Sequence, residues 1–187
     1  MDGVTGIVLA GGQGRRMGGV DKGLQLLHGQ PMIVSVLARL APQVSEIIIN
    51  ANQNLDVYAG FGQRVVPDAI AGYAGPLAGL HAGLGAARHA LVLTVPCDSP
   101  FLPLDLCTRL QERIGGKDLA VAKTGDQPHP VFALVRTQVR ENLQRFLAGG
   151  GRKIDAWYAS LQVVEVPFDD EADAFRNINT RAELNQA

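Results

Sequence analysis

Short apolar runs alternate with amphipathic stretches along almost the whole chain. Leu91-Val92-Leu93-Thr94-Val95 is apolar at nearly every position and lacks the polar alternation of a one-sided sheet. A strand covered on both faces reads this way. Runs of this kind predict strands at Gly6–Ala10, Glu46–Asn50, Arg64–Val66, Ala90–Val95, Leu119–Ala122, Val131–Val135 and Gln162–Val166. The intervals predict helices at Pro31–Leu40, Pro76–Arg88, Pro103–Ile114, Thr137–Leu147, Arg152–Ser160 and Thr180–Gln186. Pro31, Pro76 and Pro103 suit a first helical turn, where a missing N–H is no loss. Thr180 and Glu183 have capping-box spacing. This alternation predicts an α/β protein with three layers, α/β/α, around a mostly parallel sheet. No repeat or long linker divides the chain, and Gly149-Gly150-Gly151 reads as a loop within a single domain, 1–187.

The composition narrows the function classes. With 47% hydrophobic and 19% charged residues, the 187-residue chain has the balance of an ordinary globular protein with a sizeable core. A net charge of −1 provides no global basic field for nucleic acid or an acidic membrane. No apolar run approaches the roughly 18 residues of a membrane span. The start, Met1-Asp2-Gly3-Val4, lacks the basic and apolar regions of a secretory signal. Cys97 and Cys107 form no CxxC and read as buried or half-buried thiols. These features predict a cytoplasmic protein whose partners are neither nucleic acid nor membrane.

The candidate chemistry begins where the first strand ends. The stretch LAGGQGRRMGGVDKG, residues 9–23, concentrates glycines with Arg15, Arg16 and Lys22. Glycines let backbone N–H groups approach phosphate oxygens, and the cations match their charge. Ligands of open α/β sheets sit beyond the carboxyl ends of the strands. Three further strands end in Asn50, Val66-Pro67-Asp68 and Val95-Pro96-Cys97-Asp98, which predicts Asn50, Asp68 and Asp98 at the same edge as the loop. Arg16 can grip two oxygens in its planar fork, Lys22 supplies a point charge, and Asp98 suits Mg²⁺ held jointly with substrate phosphates. The P-loop pattern GxxxxGK[ST] is absent. The dinucleotide fingerprint GxGxxG fails because Met17 takes the place of its third glycine.

The pattern LAGGxxxRMGxxDKxL after the first strand resembles the signature of the molybdenum cofactor guanylyltransferases, a branch of the nucleotide-diphospho-sugar-transferase-like fold. The resemblance continues in order through GPLAGL (75–80), PCDSPFLP (96–103), HPVFAL (129–134) and FRNINT (175–180). It implies a Rossmann-like nucleotide-binding N-terminal half and a pterin-binding C-terminal half. It also implies transfer of GMP from GTP to the phosphate of molybdenum-bearing molybdopterin, with Mg²⁺ as cofactor and pyrophosphate as the second product. By position, Leu9, Ala10 and Gly11 lie against the guanine and ribose. Asn50 and Asp68 join in nucleotide recognition, Lys22 meets the phosphates, and Asp98 binds the metal. Arg16, Lys22 and Asp98 form the catalytic set. Arg16, Gly19, Asn177 and Asn179 match positions implicated in pterin binding or catalysis, and Arg152 and Lys153 match a basic pair for the pterin phosphate or dithiolene. Expected protein contacts are transient ones, with a pterin-delivering protein and with molybdoenzymes or their chaperones. Gly14, Ser99 and Arg181 depart from the residues common at their positions, and none removes a group the chemistry needs.

The expected reaction is an in-line attack by an already ionised phosphate oxygen, so it requires no general base and no catalytic histidine. His28, His81 and His89 show no common ligand spacing and read as surface or capping residues. His129, between Pro128 and Pro130, reads as an imidazole that a rigid loop can aim at the pterin pocket. Trp157 and Tyr158 read as packing residues, and Asp169, Asp170, Glu171 and Asp173 as a solvated loop. Three rivals remain at this stage. A cytidylyltransferase on the same pterin typically reads LAAG where this chain has LAGG. A sugar-phosphate or isoprenoid-precursor nucleotidyltransferase should lack the FRNINT ending. A noncatalytic nucleotide-binding module would bind nucleotide without releasing pyrophosphate.

Overall fold

A computed structural model describes residues 3–12, 21–70 and 75–178. The chain runs through β1 (Val4–Leu9), a short hairpin of β2 (Leu26–Leu27) and β3 (Gln30–Pro31), α1 (Met32–Leu40), β4 (Glu46–Asn50), α2 (Leu55–Ala59) and β5 (Arg64–Val66). It continues through α3 (Pro76–Ala86), β6 (Leu91–Pro96), α4 (Leu106–Ile114), β7 (Leu119–Thr124), β8 (Gln127–Arg136), α5 (Arg140–Ala148), α6 (Ile154–Tyr158) and β9 (Val163–Pro167). Two 3₁₀ turns follow over Asp169–Phe175, broken by a kink at Glu171 (φ −130°, ψ 35°).

The seven predicted strands form one sheet in the order β5-β4-β1-β6-β8-β7-β9. All neighbours are parallel except β8, which runs antiparallel to β6 and β7. Successive residues along the central strands enter opposite cores, as a strand's two-residue period requires. Ile7, Ile48 and Val92 pack with Leu77, Leu80 and Leu84 of α3, Leu143 and Leu147 of α5 and Trp157 of α6. Val8, Ile49 and Leu93 pack with Ile33, Val36 and Leu40 of α1 and Leu106, Leu110 and Ile114 of α4. The expected three layers follow from this alternation. No helix among the described residues is long and apolar enough to cross a membrane.

The sheet register brings four strand ends level. Leu9 pairs with Asn50 on one side and Pro96 on the other, and Asn50 pairs with Val66. Gly11, Asn52, Asp68 and Asp98 therefore each stand two residues past a common row.

Several expectations shift for identifiable reasons. Pro31 ends a two-residue hairpin rather than opening a helix, because His28 (φ 50°) and Gly29 (φ 81°) make the positive-φ turn that such a hairpin uses. Pro103 precedes α4 instead of starting it. The Leu102 carbonyl accepts from Arg39 Nε (2.7 Å) and the Pro103 carbonyl from Gln43 Nε2 (2.9 Å), side chains that follow from α1. β8 begins at Gln127, so His129 lies inside a strand rather than in a loop before one. Residues 130–132 form an irregularity there, since β7 pairs Val121 with Ala133 but Ala122 with His129. The acidic run forms two 3₁₀ turns kinked at Glu171, and Asp170 takes a bidentate grip from Arg109 at 2.9 Å on each oxygen. His81 is not a surface residue: α3 is buried around most of its circumference, and His81 is only 3% exposed. Trp157 is fully buried and donates to Asn142 Oδ1 (2.8 Å), while Tyr158 donates to the Pro130 carbonyl (2.6 Å), so both are packing residues. Cys97 and Cys107 are buried free thiols. The expected helix Thr180–Gln186 lies outside the described residues.

Candidate active site

The end of β1 is stitched to both neighbouring strands. Ala10 N–H donates to the Asn50 carbonyl (2.8 Å), and Cys97 N–H donates to the Leu9 carbonyl (3.2 Å). Leu9, Ala10 and Gly11 thus leave the sheet in a fixed direction between β4 and β6. Glycine is needed where they do so, because a Cβ at Gly11 would stand 2.8 Å from Asn52 Nδ2 and 3.0 Å from Asn50 Oδ1.

Beside this backbone, two amides hold one carboxylate. Asn50 is 2% exposed, and its Nδ2 donates to Asp68 Oδ1 (2.9 Å) and to the Val66 carbonyl (3.1 Å). Asn52 Nδ2 donates to Asp68 Oδ2 (2.9 Å) and to the Gly11 carbonyl (3.4 Å), and Asn52 Oδ1 accepts from Asp68 N–H (2.8 Å). Helix α3 closes over the Asn50 amide from the other side. A Cβ at Gly79 would come within 2.1 Å of Asn50 Oδ1, which gives a packing reason for the second glycine of GPLAGL.

On the other flank of β1, Asp98 is 7% exposed and its Oδ2 accepts from Lys22 Nζ at 3.0 Å. Lys22 begins a single 3₁₀ turn, Lys22–Leu24, and Asp21 just before it is anchored to α2. Asp21 Oδ2 accepts from Asn54 Nδ2 (3.0 Å), and Asp21 Oδ1 accepts from the Tyr58 hydroxyl. Burial, reinforced by the hydrogen bond to Asp21 and the negative charge of that carboxylate, pushes the Tyr58 phenol well above its ordinary value and keeps it a donor. Burial also raises the Cys97 thiol strongly, with Asp98 and Asp21 adding to the effect, and takes Cys107 up to about 11. Both thiols are therefore held protonated, which suits packing rather than nucleophilic chemistry.

The C-terminal motif is tied to the same edge. Ile178 N–H donates to the Asp98 carbonyl (2.8 Å), and Ser99 Oγ donates to Asn177 Oδ1 (2.5 Å). His129 stacks on Phe175 with ring centroids 4.5 Å apart and shares a hydrogen bond with Thr124 Oγ1 (2.7 Å). Burial lowers its pKa and favours the neutral ring. Arg152 and Lys153 stand on the loop between α5 and α6, where Arg152 Nη1 donates to the Gly151 (2.8 Å) and Leu147 (3.4 Å) carbonyls. Among the described residues, this pair belongs neither to the hydrogen-bonded group around Asp68 nor to the Lys22–Asp98 pair. Arg16, Gly19 and Asn179 lie outside the described residues.

Asn52, Asp21 and Tyr58 join this edge without having stood out in the sequence. The signal for Asn52 was present as the two-residue spacing of Asn50-Ala51-Asn52, which puts both amides on one side of a continuing strand. Asp21 and Tyr58 had no comparable signal, because their contact joins a loop to a helix of only five residues.

The arrangement combines an exit for glycine-bearing backbone, an acceptor pair held by neutral amides, and a cation–carboxylate pair at one sheet edge. It can place a polyphosphate beside Lys22 and a hydrogen-bond donor group beside Asp68. Residues 6–163 match the family model for the MobA-like NTP transferase domain. The chain is 51% identical to a molybdenum cofactor guanylyltransferase of Cupriavidus necator, with 98% of this chain and 95% of that protein covered. It is 48% identical to the one from Shewanella putrefaciens, with coverage of 98% and 95%. The solved structure of a molybdopterin-guanine dinucleotide biosynthesis protein A from Archaeoglobus fulgidus superposes with a TM-score of 0.82 at 27% identity, covering 97% of this chain and 95% of that one. A family model spanning most of the sequence, near-full-length relatives and a shared architecture agree, and the chain belongs to the MobA-like NTP transferase family.

Proposed function

We propose that this chain transfers GMP from GTP to the phosphate of molybdenum-bearing molybdopterin, forming the guanine dinucleotide and releasing pyrophosphate. The observation that carries the reading is the shared sheet edge. Asp68 and the Lys22–Asp98 pair flank the end of β1, in a chain 51% identical to a guanylyltransferase along nearly its whole length. Leu9, Ala10 and Gly11 line the nucleoside, Asn50 and Asp68 recognise it, and Lys22 and Asp98 face the phosphates.

In the reaction, a pterin phosphate oxygen forms a bond to the α-phosphorus of GTP. The bond from that phosphorus to the oxygen bridging toward the β-phosphate breaks, and pyrophosphate leaves with the electron pair. The attacking oxygen is ionised at neutral pH, so no proton has to move. The protein's task is to align two anions and offset the charge that passes to the leaving group. Lys22 does this on the nucleotide side. Arg16 does it at the junction with the pterin, whose other contacts we assign to Gly19, His129, Arg152, Lys153, Asn177 and Asn179. One domain, 1–187, then serves both substrates, its N-terminal half the nucleotide and its C-terminal half the pterin.

The residues fit a magnesium ion that arrives with the nucleotide. Among the described residues no three His, Cys, Asp or Glu side chains gather into a protein-only cage. Mg²⁺ ordinarily takes one or two carboxylates plus substrate phosphates, and Asp98 provides one such carboxylate. Held by Asp98, the ion supplies charge neutralisation at the phosphates.

Equilibrium binding of GTP, CTP and ATP with Mg²⁺, followed by pyrophosphate release on addition of molybdopterin, tests this reading. Preference for GTP and pterin-dependent release are expected. Preference for CTP would move the chain to the cytidylyl reaction, and binding without release would reduce it to a nucleotide-binding module.

A further inference from the structure

Resting on the assignment of Asp68 to the nucleoside, we infer that Asp68 meets the base and that Asn52 is the positioning residue that sets guanine selection by holding the Asp68 carboxylate in register with the Gly11 backbone. Asn52 is exposed, and an exposed amide normally spends its hydrogen bonds on water. Here its amide engages Asp68 twice, donating to Oδ2 at 2.9 Å and accepting from the main-chain N–H at 2.8 Å. The same Nδ2 also reaches the Gly11 carbonyl at 3.4 Å. Asn50 occupies the other Asp68 oxygen at 2.9 Å. One donor on each oxygen fixes the plane of the carboxylate and leaves further acceptor capacity on both.

An ionised carboxylate fixed in this way offers two adjacent acceptors and no donor. Guanine presents N1–H and the N2 amine side by side, which is the complementary pair of donors. Cytosine and adenine each present a donor beside an acceptor, and that acceptor meets no donor on a carboxylate. Sites built to pair one polar pattern reject the wrong one because a buried group is left unmatched. Discrimination therefore depends on how firmly the carboxylate is oriented. The Asn50 amide is secured by burial and by the Val66 carbonyl. Asn52 is secured by Asp68 itself and by Gly11, so it links the acceptor pair to the backbone that lines the nucleoside. It touches neither base nor phosphate in this scheme and acts through Asp68.

The test is Mg²⁺-nucleotide binding and steady-state kinetics for Asn52→Ala, Asp68→Ala and the double variant, with GTP and CTP as probes. Asn52→Ala is expected to weaken GTP binding about tenfold and to shrink the GTP-over-CTP preference by a similar factor. The loss should appear in Kd and KM, with a far smaller change in kcat. In the Asp68→Ala background the same substitution should add nothing, since the group it positions is gone. Additive losses would show that Asn52 contacts the ligand directly and would overturn the inference. If Asn52→Ala matched wild type while Asp68→Ala lost its preference for GTP, the positioning role would be wrong and the assignment of Asp68 would stand. If neither variant altered the preference, the assignment of Asp68 and the inference built on it would fall together. Because Asn52 is exposed, the fold is expected to survive, and an unchanged Tm checks this.

Discussion

Asp68 and Asp98 stand two residues beyond the same row of strand ends, and their surroundings differ in kind. Neutral amides hold Asp68, one from Asn50 and one from Asn52, each at 2.9 Å. Asp98 meets an ammonium, Lys22 Nζ, at 3.0 Å. Amides orient a carboxylate without cancelling its charge, so Asp68 stays an acceptor pair in a set direction. An ammonium on a four-carbon stem cancels charge and can swing, and the Lys22 side chain is 33% exposed on its way to Asp98. The first arrangement suits recognition by pattern. The second suits exchange of partners, in which a phosphate takes up Lys22 and a cation takes up Asp98. Two carboxylates equally far past one row of strand ends are thereby suited to different chemistry by what donates to them.

The largest consequence of this difference falls at Asp98. Asp98→Ala is expected to abolish Mg²⁺-dependent turnover while leaving base preference in place, and a merely modest loss would put the metal elsewhere. Lys22→Ala comes next. Removing one well-placed charge-stabilising donor typically costs roughly two to three orders of magnitude in turnover. Single-turnover measurement at saturating GTP and pterin isolates that step. Near wild-type turnover would show that Lys22 pairs with Asp98 for structure alone.

The sheet edge that the candidate site occupies was legible in the sequence, and the reasons are physical. Doubly covered strands are apolar along their length, so their carboxyl ends, and with them the shared placement of Asn50, Asp68 and Asp98, can be located from the pattern. Asn52 could not be ranked in the same way, because its value lies in hydrogen bonds that depend on the register of β4 against β5. The hairpin at Leu26–Pro31 escaped because it rests on a positive φ at His28, a residue type that rarely signals one. α2 escaped because five residues are too few to establish a period. His81 was misplaced because α3 is built from Gly, Ala and Leu and buried from Leu77 to Leu84, so no polar face marked its outside.

A smaller effect on turnover is expected at Tyr58, and it sharpens the Lys22 half of the comparison. The Tyr58 hydroxyl donates to Asp21, the residue before Lys22, and Asn54 holds the other oxygen. Tyr58→Phe keeps the buried ring and removes that donor. Loss of a hydrogen bond to a charged group at one remove from the chemistry should lower kcat by about threefold to tenfold. GTP-over-CTP preference should not move, because the Asp68 clamp has no part in this contact. A shift in preference with kcat intact would mean that the two halves are not separable.

His81 gives the smallest expected effect on turnover, and it separates acid lability of the fold from titration at the site. The ring is buried on α3, the helix whose Gly79 packs against Asn50. Burial first, and then the positive charge of Arg140, lower its pKa below the ordinary value of 6.5, with Gln144 offsetting part of the shift. As the pH falls through about 6.5, the unfolded chain takes up a proton that the folded ring refuses. Stability is therefore full above that pH and declines below it until the folded ring itself protonates. The decline from one such group has an upper slope of about 1.4 kcal/mol per pH unit. Urea midpoints at pH 7.5 and pH 5.5 should fall further apart for wild type than for His81→Gln. Part of the wild-type slope should persist in the variant, because burial lowers His129 in the same direction. An unchanged slope in His81→Gln would assign the acid-sensitive group to His129, on the C-terminal side of the site, and would remove α3 from the account of the fold's acid lability.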